Sequence, residues 1–489
     1  MSAHIVVKGL FRRFWHSPTF TSWASLFVRF SSVVVLLPVV LIRFSPEEVA
    51  VWQLFSAFFV LALMLDYGLA PNFSRLLSYA RAGTALENMT RVSGKPNTDS
   101  ASPATALERV VAGQAVFSTM RWVYPRLALI VFLLVGVLGT WSLVKPIGQL
   151  PHPENAWIAW ALVLVTMLIT LAGSCYGAAL QGMNHIAPMR RWEIAFGSAQ
   201  VASSVLVLSL SGSLLALVAT YQVWAVLSVL RNRALLKRLN FALFDSPATK
   251  DSQVIRAGGQ STRRTLISVL SSHGVIQLSG VFYGQAIPAA ELASYLLALR
   301  LMTMVSQFSQ APFYTKLPEL SALHAAGQKG AVVAMAGRGM RIAHWVFLSG
   351  ALAAAFGAPL LLTLLQSKTS FVTPMVFAVM ALGFFVERFG AMHMQVYTLT
   401  NHVVAHIGYG VTGLLVCLGT VLLLPTMGLM AFPLAMLLGY ALFFVPFALH
   451  YSGKLLTRKR WRFERITSIV PILLLLLGLA GSVFLGASR

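Results

Sequence analysis

Three arginines, Arg29, Arg126 and Arg300, fall inside long apolar runs. An ionised side chain in hydrocarbon costs at least about 2.5–3.5 kcal/mol, so such a residue faces a water-filled cavity or a partner. A guanidinium also presents a planar fork of N–H donors, which suits phosphate or pyrophosphate oxygens through paired charge-assisted bonds. Arg29 sits about nine residues into its run, roughly 13 Å deep at 1.5 Å per residue. Arg300 sits about as far into a later run, counted from the opposite side. Arg126 lies one turn inside its run, where a long side chain snorkels easily to the interface. All three are candidates to bind an anionic group, Arg126 the weakest of them. The alternative for each is a cap on backbone carbonyls or a pair with a nearby acid.

Two acids share these runs. Asp66 is expected to end the second run near the cytoplasmic face, as a partner for Arg75 or a cap for the turn. Glu387 stands beside Arg388, and neighbours on a helix point about 100° apart. Either carboxyl is a candidate to carry a coupling ion across the membrane. Of His273, His344 and His393, each is first a satisfied core residue. Cys175 and Cys417 both lie in apolar sequence, so neither a disulfide framework nor a metal cluster is expected from them. No phosphate-binding loop or dinucleotide fingerprint occurs, so no cofactor, metal or use of ATP by this chain is expected.

The elements that hold these residues follow from composition. Hydrophobic residues make up 57% of the 489, charged residues only 10%, and the mean hydropathy is +0.76. A soluble protein keeps about a quarter of its residues charged, so the class is an all-α polytopic membrane protein. The basic N-terminus leads into a long apolar run without a small-residue cleavage site, which reads as an uncleaved first helix. At about 20 apolar residues per crossing, about thirteen helices are expected. They cover 20–42, 49–70, 122–144, 157–180, 194–211, 213–230, 265–286, 291–314, 342–365, 373–391, 405–424, 427–449 and 467–486. With the N-terminus in the cytoplasm, 30 Lys and Arg fall on the cytoplasmic side, Arg388 among them, and 4 outside. That asymmetry satisfies the positive-inside rule and explains most of the net charge of +23 without nucleic acid. The outer loops are all short, which leaves no room for an extracellular catalytic domain.

An internal repeat organises the helices. Glu48-Val49-Ala50 aligns with Glu291-Leu292-Ala293, Ala82-Gly83 with Ala326-Gly327, and Asn184-His185-Ile186 with Asn401-His402-Val403. The offset falls from about 243 to about 217, so the first copy carries an insertion, placed at 84–118. Both copies start on the cytoplasmic side and run six helices. The expected architecture is therefore two parallel six-helix lobes around a central cavity, plus an extra C-terminal helix. The first lobe covers 1–230, a cytoplasmic linker 231–264, the second lobe 265–453, and a basic segment with the extra helix 454–489. The repeat sets Arg29 against Ser272 or His273, which adds His273 to the candidate binding residues. The basic run LLTRKRWRFER reads as an anchor on anionic lipid headgroups.

The segment PEEVAVWQLFSAFFVLALMLDYGLAPNFSRLLSYARAG resembles the helix 1–2 hairpin of the polysaccharide and lipid-linked oligosaccharide flippases, of the O-antigen or exopolysaccharide repeat-unit type. These belong to the multidrug/oligosaccharidyl-lipid/polysaccharide exporter superfamily. An acidic turn, Trp52, Asp66-Tyr67-Gly68-Leu69 at the end of helix 2, and Arg75 and Arg81 beyond it carry the resemblance. LQGMNHIAPMRR and PTMGLMAFPLAMLLGYALFF are similar to the family's helix 4–5 and helix 11–12 segments, so the resemblance covers about 1–455. The thirteenth helix departs from the twelve of the sugar flippases and the fourteen of the lipid II flippases.

The resemblance implies a flippase, not an enzyme, for polyprenyl-pyrophosphate-linked oligosaccharide repeat units in a bacterial cytoplasmic membrane. Its partners would be that glycan, membrane lipids and polysaccharide polymerase or assembly proteins. The cavity arginines would hold the pyrophosphate while the lobes alternate access. One alternative is a drug or small-molecule antiporter of the same fold, which for cationic drugs needs anionic cavity groups. Another is a membrane glycosyltransferase or polymerase, which needs acids or a base in a sizeable outer loop. The one outer acidic pair is Glu47-Glu48, in a turn of about six residues.

Overall fold

The computed structural model describes residues 18–83, 105–400, 402, 404–456 and 463–487. Among these there is no strand. The helices are α1 (Pro18–Arg43), α2 (Pro46–Ala82), α3 (Ala106–Gly148), α4 (Pro153–Gly182), α5 (Ile186–Leu210) and α6 (Leu214–Leu239). They continue as α7 (Ser252–Val269), α8 (Val275–Ala286), α9 (Ala289–Tyr314), the short α10 (Leu317–Ala325), α11 (Lys329–Leu364) and α12 (Pro374–Thr398). The last are α13 (Ala405–Met427), α14 (Ala431–Gly439), α15 (Val445–Ser452) and α16 (Val470–Ala487). Three π-turns, Leu270–Gly274, Tyr440–Phe444 and Arg465–Ile469, lead into α8, α15 and α16.

Helix starts are set by local chemistry. Ser45 and Glu48 form a reciprocal cap on α2, each side chain accepting the other's backbone N–H at 3.3 and 2.9 Å. Thr105 and Glu108 do the same for α3. Proline opens α4 and α12, where its missing N–H is one the helix could not use. Each of the thirteen ranges read from the sequence falls on a helix. Among the described residues, eleven segments are long and apolar enough to cross a membrane. One of them, Ala405–Ser452, turns at Gly428 with φ +52 and packs α13 against α14. The chain is a multi-pass membrane protein.

Several boundaries differ from the sequence reading. α2 does not stop at Asp66–Leu69 but runs on to Ala82 through Pro71. Asn72 Nδ2 donates to the Gly68 carbonyl at 2.8 Å, beside the turn that Pro71 weakens. α3 begins at Ala106 rather than 122, so the end of the 84–118 insertion is already helix, while 84–104 lies outside the described residues. The 231–264 segment is largely helical as well: the end of α6, a 3-10 turn at Phe241–Phe244 and the first turns of α7. Of the basic run, 457–462 lies outside the described residues, as do Asn401 and Val403 of the repeat.

The chain divides into two compact units. One holds the chain up to Phe44 together with Leu54–Val269, the other Ser45–Gln53 together with everything from Leu270 onward. In the first unit, α4 packs closely on α6 because Gly173 leaves no room for a Cβ beside Val229. An apolar cluster including Phe73, Leu77, Phe117, Tyr124 and Cys175 joins α2, α3 and α4. In the second unit α12 is the most enclosed span. α16 lies against α11 and α12, with Leu352 set on Gly478 and Phe463 on Gly337. The repeat is visible locally: Pro46–Ala82 and Ala289–Ala325 are both 37 residues long. The glycines that end them, Gly83 and Gly327, take φ +89 and +71, the left-handed conformation that stops a helix.

Candidate functional site

Asp66 lies in the middle of α2, about five turns from its start. Tyr124 of α3 donates its hydroxyl to Asp66 Oδ1 at 2.8 Å, and Ser174 of α4 lies nearby with its own hydroxyl donated to the Thr170 carbonyl at 3.1 Å. Arg75, the partner expected from sequence, instead donates to Asn72 Oδ1 at 3.4 Å. Asn72 Oδ1 also accepts from Ser261 of α7 at 2.8 Å, so that side chain is engaged on both sides. Asp66 is thus a carboxyl held by a tyrosine hydroxyl where three helices meet. Its sequence signal was its acid in an apolar run; its tyrosine partner carried none.

Arg126 stands about five turns into α3, not one, because the helix begins so much earlier. Its side chain is exposed, donates to the Trp122 carbonyl at 2.8 Å and lies 4.0 Å over the Trp122 ring. Arg29 lies on α1, but its side chain is outside the described residues.

In the second unit Arg300 of α9 lies 4.9 Å over the ring of Trp52, which is buried in the first turns of α2. Gln53 donates to the Ala293 carbonyl at 3.4 Å and ties the same turns to α9. The cation therefore rests on an aromatic face inside an apolar segment.

Arg388 corrects the topology count. The sequence reading places it among the cytoplasmic cations, yet it lies in the middle of α12 and is only 3% exposed. It donates to Gln310 Oε1 at 2.8 Å, to Ser306 Oγ at 2.6 Å and to Glu387 Oε2 at 3.2 Å. Glu387 is equally buried, so its adjacent arginine is its ion-pair partner. Ser306 and Gln310, four residues apart on one face of α9, were the missed signal. His273 sits in the π-turn before α8, within electrostatic reach of Glu387 and Arg388.

The structure thus brings Glu387, Arg388 and His273 into one neighbourhood, pairs Arg300 with Trp52, and leaves Asp66 and Arg126 each with other partners. The repeat offset of about 243 sets Asp66 against Ser309, one residue from Gln310. Both halves therefore place buried polar groups at the same stage of the repeat.

No family model and no curated protein matches the chain. Solved structures do. One is an inward-closed structure of the lipid II flippase MurJ, 10% identical, with a TM-score of 0.62 over 96% of this chain and 98% of that one. Another is an inward-facing multidrug resistance MATE family transporter of the MOP superfamily, 12% identical, with a TM-score of 0.57 over 90% of this chain and 99% of that one. The chain shares its fold with these two proteins over nearly its whole length. That shared fold is the coarse part of the resemblance read from the sequence.

Proposed function

We propose that this chain is a flippase that moves polyprenyl-pyrophosphate-linked oligosaccharide repeat units across a bacterial cytoplasmic membrane by alternating access. The N-terminus lies in the cytoplasm, where the Lys and Arg excess puts it. The observation that carries the reading is the fold shared over nearly the whole chain with a lipid II flippase. An arginine inside an apolar segment tilts the substrate toward an anion: Arg300 sits on a π-face rather than in a loop. Arg300 and Arg29 are assigned to the pyrophosphate, Arg126 and His273 to weaker contacts, and ion coupling to Asp66 and, less readily because its charge is paired with Arg388, to Glu387. Fold alone does not fix function, so the charge of the binding residues is the discriminating feature.

Antiport of a cationic small molecule is the second reading. The MATE likeness and the hydroxyl-held carboxyl of Asp66 favour it.

Full-length protein in proteoliposomes, given a fluorescent polyprenyl-pyrophosphate-linked oligosaccharide, separates the two. A flippase equilibrates the lipid between leaflets, Arg300→Ala lowers the rate at least about tenfold, and Arg300→Lys recovers part of it. Equal rates in wild type and empty liposomes, with proton- or sodium-driven uptake of an organic cation, would establish the antiporter instead.

A further inference from the structure

The last helix brings a second set of titratable groups into the C-terminal unit, away from Glu387. Glu464 immediately precedes the π-turn Arg465–Ile469, and its Oε1 lies 3.3 Å from Nε2 of His393 on α12. The histidine is fully enclosed and the carboxylate nearly so, with side-chain exposures of 1% and 13%. Glu464 Oε2 accepts from Ser468 Oγ at 3.1 Å and from Thr467 Oγ1 at 3.4 Å. Nδ1 of His393 is 2.9 Å from Ser452 Oγ, at the end of α15.

His344 of α11 makes the third member. Its Nδ1 is 3.0 Å from the Thr467 carbonyl. A carbonyl only accepts, so Nδ1 carries the hydrogen and the neutral ring has its lone pair on Nε2. That nitrogen is buried and has no hydrogen-bond partner. The cause is in the sequence. Pro471 has no N–H to close a helical turn on the Thr467 carbonyl, the chain widens into a π-turn there, and a histidine side chain fills the gap. Phe389 packs on both imidazoles, stacked 6.1 Å from His344 and tilted 4.6 Å from His393. π-turns of this kind gather at functional sites.

A cavity of about 530 Å³ reaches the cluster, and Glu464 and Ser468 supply its polar side chains among Phe385, Phe389, Val445 and Ile472. The other charge that acts on His344 is Arg388, from α12. Arg341 on α11 and Arg465 in the π-turn are both exposed.

We propose that His393, Glu464 and His344 form a proton-binding site, and that protonation there sets how α16 seats on α11 and α12. The ligand is a proton shared by His393 Nε2 and the Glu464 carboxyl, 3.3 Å apart, with His344 holding the adjoining π-turn through the Thr467 carbonyl. The His393–Glu464 ion pair exists only while the ring is protonated, so loss of the proton removes the attraction that draws the start of α16 onto α12. The site would add a protonatable centre to the coupling groups Asp66 and Glu387, and that purpose alone rests on the flippase reading.

The test uses full-length protein in nanodiscs, with Cys175 and Cys417 replaced by serine and spin labels at exposed Leu361 of α11 and exposed Leu477 of α16. Between about pH 8 and pH 5, the measured distance distribution shifts in wild type. Glu464→Gln and His393→Asn each abolish the shift, and combining them adds nothing further. An unshifted wild type, or a shift that survives in both variants, overturns the proposal. The wild-type result stands even where a variant fails to fold. No substrate enters the measurement, so a negative flipping assay leaves it unaffected, and a negative result here leaves flipping intact.

Discussion

The two halves meet one problem, a carboxyl inside an apolar helix, in opposite ways. In the N-terminal unit Asp66 is held by the hydroxyl of Tyr124. In the C-terminal unit Glu387 is held by a guanidinium that Gln310 and Ser306 engage in turn. Hydroxyls serve a carboxyl whether or not it carries a proton, whereas a guanidinium requires the charged form. The first arrangement can change protonation with little rearrangement. The second is locked, because neutralising one member strands a buried charge on the other. Repetition of a helix plan therefore does not repeat its electrostatics, and the two halves are suited to different tasks.

That contrast breaks most sharply at Arg388. Arg388→Met leaves Glu387 buried without its counter-charge, and a loss of about 3–5 kcal/mol is expected, seen as a large drop in thermal midpoint of the detergent-solubilised protein. Adding Glu387→Leu to that variant should recover most of the loss. A single variant as stable as wild type would show that the pair is not the lock described. Tyr124→Phe removes one hydroxyl from Asp66 and should cost about 1.5–3 kcal/mol, the range for a hydrogen bond to a charged group. The smallest stability effect belongs to Asp66→Asn, which keeps an acceptor for Tyr124 and should cost under about 1 kcal/mol. If Asp66 serves ion coupling, that variant loses transport at nearly full stability. Equal transport by Asp66→Asn and wild type would move coupling to another group.

Much of the fold was legible in the sequence because a bilayer imposes one rule on every crossing segment: about 20 apolar residues with internally satisfied backbone. The ranges were recovered for that reason, and Gly83 and Gly327, read only as landmarks of the repeat, prove to be the left-handed residues that end its two copies. Helix ends beyond the apolar core were not. α2 passes through Asp66 and Pro71, and α3 starts at Ala106, since polar residues outside the membrane continue a helix without any hydropathy signal. Arg388 was misplaced for a related reason. Its partners come from α9, some eighty residues earlier in the chain, and hydropathy counting sees no partner. The His344–Thr467 contact was equally hidden, although Pro471 marked the carbonyl that needed it.

The most direct test of the flippase itself is lipid analysis of the organism that encodes this chain, after the protein is depleted. Polyprenyl-pyrophosphate-linked repeat units should accumulate on the cytoplasmic face while surface glycan is lost, and the accumulated lipid identifies the substrate. Unchanged lipid-linked intermediates together with normal surface glycan would contradict the flippase and leave small-molecule antiport as the function of the fold.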